Sequence, residues 1–126
     1  ELPFEADVVP FIERMDIAYA RADLVVCRAG AATIAELAVF GKPAVLVPDP
    51  YAAYDHQRLN ALALVERGAA EMILDRELDG EKLAARVRAL YGDRARLAAM
   101  AEAAKRLGRP QAAARIADDC AALAAN

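Results

Sequence analysis

The chain is poor in the residues that most often carry metal or nucleophilic chemistry. Its 126 residues include one histidine, two cysteines and no tryptophan. A single histidine does not provide the grouped ligands of a zinc site. Cys27 and Cys120 fit reduced thiols better than a disulfide framework. We therefore predict a protein without a metal or other cofactor, and the reduced thiols favour a cytoplasmic location.

Two further absences exclude other classes of protein. No apolar run approaches the roughly 20 residues of a membrane span, and the first residues lack the basic-then-apolar pattern of a signal segment. The formal net charge is −3, with acidic and basic residues interspersed, so there is no broad cationic surface for nucleic acid. We expect a soluble chain without a nucleic-acid partner, folded as one domain over residues 1–126. The strand-like start without methionine suggests a detached half of a longer protein.

Apolar runs of strand length alternate with helical patterns in the first part of the chain. Three runs are typical of strands covered on both faces: 23–27, 43–48 and 69–74. Two helical patterns lie between them, 31–40 and 56–66, each followed by a glycine. This alternation predicts the α/β class, with a Rossmann-like parallel sheet flanked by helices and right-handed crossovers.

The two ends of the chain have different patterns. Residues 6–12 mix β-branched and aromatic residues around Pro10, which predicts a short strand. A short helix should follow, with one face formed by Met15, Ile17, Ala18 and Ala22. After Asp79 the chain predicts three helices, with Pro110 in the first turn of the last. Their apolar stripes are Leu83, Val87 and Leu90, then Leu97, Met100 and Leu107, then Ile116, Cys120 and Leu123.

The junction that follows the first apolar run is a candidate anion site. Ligands of parallel sheets lie beyond the carboxyl ends of the strands, where helices present their N-termini. Gly30 should allow a tight turn and a close approach to a ligand. Ala31, Ala32 and Thr33 would offer unpaired N–H groups at the positive end of the helix dipole. Glu36 is spaced to accept from a sugar hydroxyl, but Thr33 and Glu36 also have the spacing of a purely structural capping box.

The loop 48–61 should open on the same edge of the sheet. It carries Asp55, His56 and Gln57, with Asn60 one turn later. Amide and imidazole groups in such loops recognise hydroxyl-rich ligands. Because no nucleophile lies near His56 in the sequence, we expect it to position a ligand or to cap a helix rather than to catalyse. Asp55 has the alternative role of an N-cap.

A third candidate feature precedes the first helix. The backbone of Phe11 and Ile12 is placed to pair with the edge of a flat base, and Met15 to lie against its face. From periodicity alone, Met15 is better explained as a core residue. All three features are predicted at one edge of one sheet.

Four segments of the chain carry a resemblance to a known family: PFIERM, ADLVVCRAGAATIAELAVFGKPAVLVP, DHQRLNA and ERGAA. Together with the helices that follow them, these segments cover nearly the whole chain, which resembles the C-terminal, donor-binding half of the MurG family of UDP-N-acetylglucosamine transferases. These enzymes have the two-lobed GT-B architecture and transfer N-acetylglucosamine to a lipid-linked muramyl-pentapeptide, converting lipid I to lipid II in peptidoglycan synthesis. The resemblance implies the donor lobe without the acceptor lobe.

The resemblance also implies roles for the candidate residues on the nucleoside side. Backbone groups of Phe11 and Ile12 would meet the uracil, and Met15 would lie beside the ring. Glu36 would accept hydrogen bonds from the ribose hydroxyls. The nucleoside would thus lie between the segment before the first helix and the helix that carries Glu36.

Diphosphate and sugar are implied to lie along the same edge. The diphosphate would be held at Gly30, Ala31, Ala32 and Thr33. Arg28 would assist with phosphate or form a structural salt bridge. Gln57, with His56, would read the hydroxyls of the N-acetylglucosamine.

On this reading the chain alone binds UDP-N-acetylglucosamine, without a metal, and does not turn it over. Its partners would be an acceptor-binding lobe, on the same parent chain or a separate subunit, and through that lobe the lipid-linked acceptor. The location would be cytoplasmic, peripheral at the inner face of the plasma membrane. The alternatives are the donor subunit of a split two-chain transferase, a non-catalytic UDP-sugar-binding module, and a UDP-N-acetylglucosamine 2-epimerase.

Overall fold

A computed structural model describes residues 4–125. It contains a parallel sheet with the strand order β1-β2-β3, formed by Val25–Cys27 (β1), Ala44–Leu46 (β2) and Ala70–Met72 (β3). The α-helices are Met15–Arg21 (α1), Ala31–Phe40 (α2), His56–Val65 (α3), Gly80–Gly92 (α4), Arg94–Leu107 (α5) and Ala112–Ala124 (α6). The predicted α/β class and Rossmann-like parallel sheet are confirmed.

The central strand β2 sets the register of the sheet. Ala44 lies between Val25 of β1 and Ala70 of β3. The strands are shorter than the apolar runs that predicted them, but the ladder continues for one bond on each side of β2. The N–H of Val47 donates to Cys27 at 2.9 Å, and that of Ile73 donates to Leu46 at 3.0 Å.

Helices cover the sheet on both faces, as the apolar strands require. Alternate residues of β2 face opposite sides: Leu46 packs in one cluster with Leu37 of α2 and Leu64 of α3, and Val45 packs in the other. The second cluster also contains Ile73, which directly follows β3, and three side chains of α4 and α5, namely Leu90, Leu97 and Met100. The first two predicted stripes of the C-terminal helices are therefore confirmed at Leu90, Leu97 and Met100.

The segment before α1 differs from its prediction. Residues 6–12 form no strand, and Val8 is 94% exposed. A strand needs a neighbour for its backbone N–H and C=O groups, and no ladder partner for this segment exists among residues 4–125. The helix α1 is confirmed, but Met15 and Ile17 are exposed and Tyr19 is its buried side chain.

The last helix also differs from its prediction. Its predicted stripe of Ile116, Cys120 and Leu123 is exposed, because no described element packs on that side of α6. The prediction for Pro110 was wrong, since α6 begins at Ala112 and Gln111 occupies the cap position. Periodicity locates an apolar face, but it does not reveal what covers that face.

A buried carboxylate interrupts the apolar pattern of β3. Glu71 is 8% exposed, and its two oxygens pair with the guanidinium groups of Arg86 on α4 and Arg96 on α5. The sequence reading of 69–74 as an apolar strand missed this ion pair. Within residues 4–125, no helix is both long and apolar enough to span a membrane.

Candidate functional site

The N-terminus of α2 lies at the carboxyl end of β1. Gly30 occupies the N-cap position, and the first bond of the helix runs from the Ile34 N–H to the Gly30 carbonyl at 3.0 Å. The N–H groups of Ala31, Ala32 and Thr33 have no acceptor in the described part of the chain. This end of the helix therefore presents three unpaired donors at the positive end of its dipole.

Gly30 leaves the space above these donors open. Its backbone has φ −64° and ψ 152°, which any residue adopts, so the turn into α2 does not depend on the conformational freedom of glycine. A Cβ atom at Gly30 would meet only the Thr33 hydroxyl oxygen, at 3.9 Å. Within residues 4–125, neither strain nor packing requires a glycine here. The missing side chain instead allows a ligand to approach the N–H groups closely.

The capping-box alternative for Thr33 and Glu36 was wrong. The helix begins two residues before Thr33, so Thr33 is not its cap residue. The cap residue is Gly30, which has no side chain to bond with the N–H groups of the helix. Glu36 has a different partner, because its Oε2 accepts a hydrogen bond from the hydroxyl of Tyr19 at 2.9 Å. The carboxylate thus faces α1 and solvent rather than the end of its own helix.

Tyr19 connects α1 to α2, and the sequence analysis did not include it in the site. Its ring stacks on Phe40, with 5.2 Å between ring centroids and an interplanar angle of 26°. Burial, and then the hydrogen bond to Glu36, raises the pKa of the Tyr19 hydroxyl well above its ordinary value. The available signal was spacing, since Tyr19 lies four residues after Met15 and so shares its helix face.

Two amide side chains of α3 hold the peptide that precedes Gly30. Gln57 Oε1 accepts from the N–H groups of Ala29, at 3.1 Å, and Asp49, at 3.0 Å. Asn60 Nδ2 donates to the Ala29 carbonyl at 3.0 Å. Because Ala29 is fully buried, these bonds satisfy backbone groups that water does not reach. The predicted sugar-binding amides are therefore brought next to the predicted diphosphate site.

Arg28 joins the ends of all three strands. One guanidinium nitrogen donates to the carbonyls of Val47 and Pro48, each at 3.2 Å, and pairs with Asp75 at 2.7 Å. The structural salt bridge, which the sequence left open, is present. A cleft of about 420 Å³ lies beside Asp75 between the loops after β2 and β3, lined by Pro48, Asp49, Pro50, Asp55, Arg58, Leu74, Asp75 and Arg76.

The predicted base-binding residues lie together before and at the start of α1. Phe11, Ile12 and Met15 line a shallow groove of about 580 Å³ with residues 7–10. All three side chains are at least partly exposed to solvent. The Tyr19–Glu36 hydrogen bond links the helix that borders this groove to α2.

Comparison with known proteins identifies the family. Residues 3–116 match the model of the glycosyltransferase family 28 C-terminal domain. The chain belongs to this family. Its sequence is 60% identical over 120 residues to "UDP-N-acetylglucosamine--N-acetylmuramyl-(pentapeptide) pyrophosphoryl-undecaprenol N-acetylglucosamine transferase" of Anaeromyxobacter sp. (strain Fw109-5), covering 95% of this chain and 32% of the relative.

Other relatives of this family-28 domain agree. The protein of the same name from Myxococcus xanthus (strain DK1622) is 56% identical over 117 residues, covering 93% of this chain and 30% of the relative. A crystal structure of Acinetobacter baumannii MurG superposes with a TM-score of 0.81 and 40% identity, over 89% of this chain and 32% of that one. The predicted resemblance and the predicted GT-B lobe are confirmed. The chain spans about a third of the length of these relatives.

The loop before α3 of this family-28 domain is tightly folded. Tyr54 and Asp55 both have positive φ, 53° and 56°. Asp55 stands at the N-cap of α3 but makes no capping bond, and its carboxylate pairs with Arg58 instead. His56 Nδ1 lies 2.5 Å from the Ala53 carbonyl. Because a carbonyl only accepts, this contact is a hydrogen bond in the tautomer with the proton on Nδ1, and in that tautomer Nε2 is an acceptor.

The strand-end cysteine of this domain is not an activated nucleophile. Burial raises the pKa of the Cys27 thiol to about 11, so it stays protonated at neutral pH. Among residues 4–125, no group of three or more histidine, cysteine, aspartate or glutamate side chains is arranged to hold a metal ion.

Proposed function

We propose that this domain binds UDP-N-acetylglucosamine as the donor lobe of a GT-B glycosyltransferase of peptidoglycan synthesis. One observation carries the proposal: three unpaired N–H groups at the start of α2 lie beneath an open position, Gly30, at the carboxyl edge of a parallel sheet. Oriented N–H donors at a helix N-terminus suit a diphosphate. The printed name of the relatives supplies the substrate class.

The nucleoside would lie across α1 and α2. Phe11 and Ile12 offer backbone groups to the uracil edge, and Met15 offers an apolar side chain to the ring. Glu36 would accept from the ribose, because its Oε1 makes no bond within residues 4–125 and the residue is exposed. The order of base, ribose and diphosphate then follows the surface from α1 to the start of α2.

The sugar would lie beyond the diphosphate, against α3. With its Oε1 bonded to two backbone N–H groups, Gln57 would meet a sugar hydroxyl through its NH₂ group, as a donor. His56 would contribute its Nε2 as an acceptor. Asn60 holds Ala29 through its NH₂ group, which leaves its side-chain oxygen as the atom for a sugar hydroxyl.

In the transfer itself, the N-terminus of α2 would stabilise the negative charge that develops on the departing UDP. Preorganised N–H donors do this without a metal ion and without reorganisation during the reaction. The acceptor would be lipid-linked muramyl-pentapeptide, bound by a second lobe at the inner face of the membrane. The 126-residue chain alone would bind the donor and not transfer the sugar.

Calorimetric titration of the chain with UDP-N-acetylglucosamine, UDP-glucose and UDP, without added metal, tests the proposal. We expect saturable binding with the N-acetylglucosamine compound preferred. Gly30→Ala should abolish diphosphate binding while the fold is retained, because its Cβ meets no protein atom closer than 3.9 Å. Gly80→Ala, where a Cβ meets nothing within 4 Å, is the matched control. A folded chain that binds none of the three compounds would refute the proposal.

A second candidate is the donor subunit of a split, two-chain transferase. The observation that favours it is the exposed apolar stripe of α6, formed by Ile116, Cys120 and Leu123. An acceptor subunit supplied as a separate chain should restore transfer and protect this stripe. Donor binding without transfer under any such condition would indicate the non-catalytic module.

A further inference from the structure

Tyr19 is held at both ends of its side chain. Its ring is 4% exposed and stacks on Phe40, near the end of α2. Its hydroxyl donates to Glu36 Oε2 at 2.9 Å, one turn earlier on the same helix. Packing fixes the ring, and the ring in turn fixes the position of the hydroxyl oxygen beside Glu36.

This contact constrains an exposed carboxylate. A glutamate on a helix surface ordinarily samples several rotamers, and ordering it costs conformational entropy when a ligand binds. In this chain one oxygen of Glu36 is bonded to a buried hydroxyl, and within residues 4–125 the other has no partner. The free oxygen is therefore presented in one orientation before any ligand arrives.

We infer that Tyr19 is a positioning residue for ribose recognition, holding the Glu36 carboxylate so that its second oxygen accepts from the ribose hydroxyls of a uridine nucleotide. The inference rests on the proposed function, in which Glu36 reads the ribose. It adds a residue that does not itself contact the ligand. Tyr19 shares a face of α1 with Met15, which lines the groove proposed for the base. Its hydrogen bond to Glu36 therefore also fixes the proposed ribose-binding carboxylate relative to that groove.

The preference for a nucleotide with ribose hydroxyls over one without them shows whether Tyr19 positions Glu36 or has only a structural role. The affinities of UDP and of 2′,3′-dideoxy-UDP are measured by calorimetry for the 126-residue chain and for Tyr19→Phe, which keeps the stacked ring. The unsubstituted chain should prefer UDP at least about tenfold, the effect of a charge-assisted hydrogen bond. Tyr19→Phe should reduce this preference at least about threefold, with the affinity for the dideoxy compound unchanged. Tyr91→Phe, at an exposed tyrosine on α4, should leave the preference intact.

A double-mutant cycle completes the test. Glu36→Gln should remove most of the preference for UDP, and Tyr19→Phe added to it should have no further effect. An undiminished preference in Tyr19→Phe, or an equal loss of affinity for both nucleotides, would overturn the inference and leave the proposed function standing. Failure of the unsubstituted chain to bind either nucleotide would refute the proposed function, and the inference with it.

Discussion

Asn60 donates its side-chain amide to the carbonyl of Ala29, 31 residues earlier in the chain, at 3.0 Å. Gln57, one turn before Asn60, holds the N–H of the same residue. The peptide leading into α2 is thus oriented by side chains of α3. Groups predicted to read the sugar also hold the backbone predicted to bind the diphosphate, so the two parts of the proposed site are mechanically linked.

Asn60→Ala should destabilise the fold and weaken donor binding together. The Ala29 carbonyl would remain buried without a partner, which costs about 1–3 kcal/mol of unfolding free energy. Urea unfolding measures the loss. The control is Gln111→Ala, an exposed amide that makes no capping bond, with an expected change within about 0.5 kcal/mol. Equal stability of the two variants would show that the hydrogen bond from Asn60 to Ala29 does not stabilise the fold.

Glu36→Gln should weaken the binding of UDP-N-acetylglucosamine by about 1.5–3 kcal/mol, since a neutral amide replaces the charged acceptor. Glutamine is preferred to alanine because its oxygen still accepts from Tyr19, which avoids an unpaired buried hydroxyl. Calorimetry gives the affinity, and circular dichroism confirms the fold. Unchanged affinity in a folded variant would show that Glu36 serves only as the acceptor for Tyr19.

Glu71→Gln should cost about 1–3 kcal/mol of unfolding free energy. The substitution removes the charge that pairs with Arg86 and Arg96. The expected loss of stability is smaller than for a fully buried ion pair, because both arginines are about half exposed. Glu102→Gln is the matched control, since Glu102 and Lys105 form an exposed pair worth about 0.5 kcal/mol or less. Chemical denaturation compares the two variants. Equal losses would contradict the structural role of Glu71.

Gly41→Ala should destabilise more than Gly68→Ala. Both glycines have positive φ, 62° and 73°, so each alanine carries a backbone strain of about 1–2 kcal/mol. Only at Gly41 would the new Cβ also clash with a side chain, at Cγ of Lys105. Lys105→Ala added to Gly41→Ala should recover the excess loss. Thermal or urea unfolding that shows equal losses would contradict the contact.

Stability should fall with rising pH between about 9 and 11, partly because of Cys27. Its thiol has a pKa of about 11 in the fold, against an ordinary value of 9.0. Over this window the unfolded chain loses the proton and the folded chain keeps it, so the folded state binds more protons and its stability decreases. Cys27→Ala should flatten the slope of unfolding free energy against pH. The raised pKa of Tyr19 acts in the same direction and preserves part of the slope. An identical slope in the variant would contradict the contribution of Cys27.

Most elements were predictable because their signals are local. The apolar runs of β1, β2 and β3 and the glycine stop after α2 are properties of short stretches. The motif segments around Gly30 and Gln57 were sufficient to indicate the family, which the comparisons confirmed. The roles of individual residues toward UDP-N-acetylglucosamine stay predictions.

The sequence by itself determined the strand and helix alternation, the single parallel sheet and the placing of Gly30 at a strand-to-helix junction. Only the tertiary structure decided the partners: Tyr19 with Glu36, Asn60 with Ala29, and Glu71 with its two arginines. It also showed that, among residues 4–125, no strand pairs with residues 6–12 and no element packs on the apolar stripe of α6. The physical reason is that periodicity reports which side of an element is apolar, whereas hydrogen bonds between distant residues depend on how elements pack in three dimensions.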